Sequence, residues 1–220
     1  MPHCLTIGIS CCILYSKDKP KVMKMIKSIS NKLLQYLLQA NVIDKSEDVL
    51  AYYKYGIEIT ISSLLNIVLI ISIGIISGQL IESILFLICF VPMRQFTGGY
   101  HADSYFKCNF LFSVLYILLL IIYNLTASII TFYGELLIAI FSITVIITEC
   151  PIEHPNKLLS NSQKKNNKYL AIILGLLYSM VGVTLKVLSY NIGAIFIYAL
   201  MLISILVIVA TVQKMRKGEQ

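Results

Sequence analysis

Between Arg94 and Cys108 the chain reads Arg-Gln-Phe-Thr-Gly-Gly-Tyr-His-Ala-Asp-Ser-Tyr-Phe-Lys-Cys, a concentration of polar, glycine and titratable residues in an otherwise apolar sequence. The chemistry open to these types is nucleophilic. A cysteine attacks as its thiolate and needs a base or a positive neighbour to reach that form near neutral pH. His101, one of 3 histidines, can supply the base for Cys108, and Arg94 and Lys107 add positive potential. Gly98 and Gly99 permit backbone conformations closed to other residues, so the pair can end a helix or expose N–H groups to a ligand. Arg94 and the N–H groups near Gly99 are therefore candidates to stabilise an oxyanion. A metal site would need more ligands than Asp103 adds, so neither metal nor other cofactor is expected.

One constraint bears on the His101–Cys108 pair. On a continuous helix their Cα atoms would be separated by about 10.5 Å along the axis. The two side chains cannot close that gap to the roughly 3 Å that a nucleophile and its base require. A working pair therefore needs a break or distortion between them, or pairing across a dimer. On spacing alone, a single histidine near a single cysteine is more often an ordinary loop pair than a dyad.

The elements that must position this loop are membrane helices. Of the 220 residues, 58% are hydrophobic and 13% charged, and the mean hydropathy is +0.82. Soluble domains average about 25% charged residues. A bilayer core takes about 20 apolar helical residues. Six spans are expected, over Ile57–Ile76, Leu80–Met93, Phe110–Tyr123, Ala127–Thr148, Tyr169–Leu188 and Ile192–Val212. Asn124 is expected to form the hairpin turn between the third and fourth. The second and third are short, which suggests that the loop between them dips into the interface. The fold expected is thus an all-α polytopic membrane bundle with an N-terminal amphipathic helix.

Charge gives this bundle an orientation. With both termini inside, all but Lys186 of the 18 lysines and arginines fall on the cytoplasmic side, as the positive-inside rule requires. The Arg94–Cys108 loop is then cytoplasmic. The net charge of +7 is accounted for by topology, and no nucleic-acid partner is expected. Six cysteines without a CxxC pair do not suggest a disulfide framework. Glu58 and Glu82 can reach an interface, whereas Glu135 reads as deeper in its span, where an ionisable group is often functional.

Within Val22–Val42, Ile26, Ile29, Leu33 and Leu37 recur at helical spacing, with Leu34 and Leu38 beside them. This is an amphipathic helix, expected either on the inner leaflet with its lysines near anionic lipid or packed on the bundle. Residues 1–21 read as an extension, with the true start expected at Met23 or Met25.

The run R-x-x-x-G-G-x-H-A-x-S-x-x-x-C, Arg94 to Cys108, resembles the accessory gene regulator B (AgrB) family, membrane endopeptidases of Gram-positive quorum sensing. The likeness covers residues 22–215 as a single peptidase domain. It takes in the lysine-rich N-terminal segment, Tyr55-Gly56 opening the first span, and the loop from Pro151 to Lys157. The resemblance implies that Cys108 is the nucleophile and His101 its base, with Arg94, Gly98 and Gly99 as the supporting motif residues. It implies a substrate too: a small precursor signal peptide with an amphipathic N-terminus and an acidic tail, cut before the tail and cyclised to a thiolactone or lactone. The basic stretches 157–168 and 214–217 suit that tail, and a homodimer is expected on the likeness alone. The competing reading is a peptide exporter without proteolytic activity, for which Glu135 is the supporting feature.

Overall fold

The computed structural model describes residues 21–40, 42–43, 46–98, 105–153, 160–188, 190–216 and 218. Their side chains are described too, except at 21–24, 48 and 105–107. The helices, in chain order, are α1 (Lys21–Gln39), α2 (Glu47–Ile76), α3 (Leu80–Thr97), α4 (Tyr105–Thr126), α5 (Phe132–Glu149), α6 (Asn161–Val187) and α7 (Ala194–Arg216). A 3₁₀ turn, Asn191–Gly193, precedes α7. From α2 onward, 6 helices are long and apolar enough to cross a membrane, so this is a multi-pass membrane protein. Two compact units are distinguishable, one built on α1 and α2 up to Leu64, the other on the chain from Leu65 through α7.

In the second unit α7 is the central helix. It carries no polar stripe, and a helix apolar all round belongs in an interior. Of its apolar window 72% is buried, against 17–33% for the other spans. Helices α3, α5 and α6 pack on it. Their outward faces keep large apolar side chains such as Ile88, Phe141 and Leu176 exposed, as a lipid-facing surface should. Between α3 and α4 lies an aromatic cluster in which Phe86 stacks on Phe90 at 5.1 Å and meets Tyr116 at 4.8 Å.

Four sequence expectations need correction. The second and third spans are full length, at 18 and 19 residues, so their shortness is no support for a dipping loop. The apolar run breaks at Arg94, but the helix continues because the Arg94 side chain bends along it to the Gly98 carbonyl. Asn124 does not form a turn. It sits inside α4 and exchanges amide hydrogen bonds with Gln79 at 2.7 and 3.1 Å, while the chain turns at Ala127–Ile130. A carboxamide with a matched partner is tolerated in a helix that would otherwise expose it to lipid. Glu58 is only 8% exposed and does not reach outward.

Glu135 is the fourth correction. The preceding turn takes up Ala127–Ile130, so Glu135 falls in the first turn of α5, where negative charge is favoured. Its carboxylate is 3.0 Å from the Lys186 ammonium, with side-chain exposures of 1% and 11%. Lys186 also donates to the Ala127 carbonyl and, at 3.3 Å, to Asn191 Oδ1. The one basic residue at odds with the charge asymmetry thus has a buried carboxylate as its partner. Removing one member of such a pair costs about 3–5 kcal/mol, because the other is left buried and uncompensated. Lys186→Met is therefore expected to lower the unfolding temperature in detergent more than Lys186→Met combined with Glu135→Gln. Equal losses would show that the pair contributes nothing as a pair.

Candidate active site

Pro92 lies within α3 and lacks the N–H that would bond Ile88 O four residues back. The orphaned carbonyl instead accepts from the Tyr178 hydroxyl of α6 at 2.8 Å. Half a turn further on comes Arg94. Its guanidinium donates to the Gly98 carbonyl, and Thr97 Oγ1 is 3.3 Å from the same oxygen. The residue that sequence reasoning offered as an oxyanion donor is thus also the clasp that closes its own helix.

Gly98 ends α3 with φ +68 and ψ −141. A short extended segment then docks on it from the chain after α5: Ile152 N donates to Thr97 O at 3.0 Å, and Gly98 pairs with Ile152 in an isolated parallel bridge. A Cβ at Gly98 would sit 2.1 Å from the Ile152 carbonyl oxygen. Glycine is required here twice over, by its backbone angle and by the closeness of this strap. The strap is tethered at its far end by Glu153, whose carboxylate is 2.9 Å from Lys164 in the first turn of α6. A capping box between Ser160 and Gln163 starts that helix, so its lysines follow at once.

Cys108 is half-buried in the first turn of α4. The Arg94 guanidinium lies within Coulombic reach of both Cys108 and Cys150. Cys150, read from the sequence as one more buried cysteine, therefore belongs to the same neighbourhood. The signal available was Pro151, which ends α5 directly beside it. Burial pushes the Cys150 thiol up to about 12, aided by Glu149 and opposed by Lys168 and Arg94. At neutral pH it is thus a neutral thiol and a poor nucleophile. The structure therefore brings Arg94, Gly98 and Cys108 to one end of the bundle and adds Cys150 and Ile152 to them. His101 and Gly99 lie outside the described residues.

A family model for accessory gene regulator B matches residues 30–210. Three relatives share this extent. An AgrB-like protein of Lactiplantibacillus plantarum is 21% identical over 191 residues, covering 87% of this chain and 93% of that protein. An AgrB-like protein of Clostridium perfringens is 23% identical, covering 84% and 86%. A second from Clostridium perfringens is 23% identical, covering 77% and 81%. No solved structure matches.

Two measurements check this geometry. Gly98→Ala must break the bridge to Ile152 and strain the backbone, at a cost of about 1–3 kcal/mol, read as a lower unfolding temperature in detergent. An unchanged midpoint would contradict the close approach. Alkylation at neutral pH, followed by peptide mass spectrometry, is expected to modify Cys108 in the folded protein and leave Cys150 unmodified until it is denatured. Equal labelling would contradict the burial assigned to Cys150.

Proposed function

The chain belongs to the accessory gene regulator B family, and on that premise we propose that it is a membrane-embedded cysteine endopeptidase that cuts a precursor signal peptide and promotes its cyclisation. Family membership supports involvement in the peptide processing of agr quorum sensing at the coarser level. The single observation that carries this reading is the setting of Cys108: a half-buried thiol in the first turn of α4, within reach of a clamped guanidinium, while the neighbouring Cys150 is held neutral.

The reaction runs in two transfers. His101 takes the Cys108 proton, and the sulfur attacks the carbonyl that precedes the acidic tail of the precursor. The C–N bond breaks as His101 returns the proton to the leaving nitrogen, and the core peptide stays on Cys108 as a thioester. A cysteine or serine within the precursor then attacks that thioester through its own sulfur or oxygen. A ring forms, and Cys108 is released as a thiol. Holding the internal nucleophile beside the thioester favours the ring over hydrolysis. Arg94 offers positive charge for the oxyanion and Gly99 a backbone N–H, the N–H of Gly98 being taken by the Arg94 carbonyl. The lysines that follow the Ser160 cap, Lys165 and Lys168 among them, suit the acidic tail, and the lysine asymmetry puts this end of the bundle in the cytoplasm.

The exporter reading drew its support from Glu135, and the pairing of that residue with Lys186 near a helix end accounts for it without transport. The test is co-expression with a short precursor that has an amphipathic N-terminus, an internal cysteine or serine and an acidic tail, followed by mass spectrometry of the peptide pool. Wild type is expected to shorten the peptide, and Cys108→Ala and His101→Ala to reduce the product by about 10³-fold or more. Processing that survives both substitutions in a well-expressed protein would overturn the assignment of the dyad.

A further inference from the structure

Helix α1 has two apolar faces, and only one is covered. Ile26 and Ser30 are fully buried, and Ser30 Oγ donates to the Lys54 carbonyl of α2 at 3.4 Å. One step round the helix, Met25, Ile29, Leu33 and Tyr36 are exposed by 46, 40, 44 and 69%. Their spacing of four, four and three places them on one stripe. The sequence pattern alone merges the two faces into one apolar side; burial separates them.

Three observations indicate what covers the exposed stripe. The contact at Lys54 fixes α1 at a level of α2 just ahead of the apolar stretch that starts at Ile57. At that level α2 exposes Tyr52, Tyr53 and Tyr55, by 77, 41 and 39%, and Tyr36 joins them from α1. Tyrosines gather in this way at the boundary between headgroups and acyl chains. Finally, the segment Lys21–Gln39 contains Lys21, Lys24, Lys27 and Lys32 and no acidic residue. A second copy of the same stripe would set lysines against lysines, whereas an anionic lipid surface complements them.

We propose that α1 is a membrane-surface helix. Met25, Ile29, Leu33 and Tyr36 insert among the acyl chains of the leaflet at the start of α2, and the lysines of α1 take anionic headgroups. The proposal does not depend on the identity of the nucleophile.

The chain has 0 tryptophans, so Tyr36→Trp creates a single reporter at an exposed position of the full-length protein. The variant is reconstituted in vesicles of phosphatidylcholine with or without phosphatidylglycerol. The expected result is emission blue-shifted from that of the denatured chain, quenched by nitroxide-labelled acyl chains and shielded from aqueous iodide. Lys27→Gln with Lys32→Gln is expected to weaken the acyl-chain quenching in the anionic vesicles. Full access of iodide in both vesicles would overturn the proposal. So would shielding that disappears on dilution of the protein in lipid, because a second copy would then be the cover. Equal quenching in neutral and anionic vesicles, with no effect of the lysine substitutions, would overturn the role given to charge.

Discussion

Within a bilayer core, an N–H or C=O without a partner costs several kcal/mol, because no water is present to replace it. That constraint is visible at three departures from regular helix among the described residues. Pro92 leaves the Ile88 carbonyl bare, and a tyrosine hydroxyl from another helix fills the gap. Where α3 stops, the Gly98 carbonyl takes the Arg94 guanidinium, and the Thr97 carbonyl takes a backbone N–H from the strap after α5. At the opposite end, the Lys186 ammonium serves the Ala127 carbonyl as well as Glu135. Each of these places finds its partner in a side chain or a backbone N–H, from the same helix at Gly98 and from distant segments at the others.

Much of this architecture can be read from the residues in order. Six apolar runs of bilayer length, and an amphipathic segment ahead of them, follow from composition and periodicity. The all-apolar character of α7 points to its central place. What the sequence conceals is how polar groups are cancelled. Arg94 reads as the end of a span because its charge is visible and its partner, the Gly98 carbonyl, is not. Asn124 reads as a turn because its match, Gln79, is 45 positions away. Glu135 and Lys186 read as two separate anomalies, although together they are neutral. Pairwise contacts of this kind depend on tertiary packing, which no local pattern encodes.

The candidate site is legible in a similar, partial way. The types and spacing from Arg94 to Cys108 offer a nucleophile, a base and supporting charge as candidates. As candidates they do not reveal that Gly98 is pinned by Ile152, or that a second thiol shares the neighbourhood of Arg94. Cys150 and Cys108 have the same functional group, and environment alone separates them. Burial keeps Cys150 neutral, while Cys108 is half-buried in the first turn of α4.

The hydrogen bond from Tyr178 to Ile88 has a mechanical side. It ties the middle of α6 to α3 about one turn before Pro92, and Arg94 comes just past that proline. Its lever arm is short: a small roll of α6 about its own axis would pull on α3 at the carbonyl that Pro92 leaves bare, less than two turns before Arg94. Lys164, which leashes the strap through Glu153, rides on the same helix. Any rotation of α6 would therefore reach both sides of the Gly98 junction at once, one through α3 and the other through the strap.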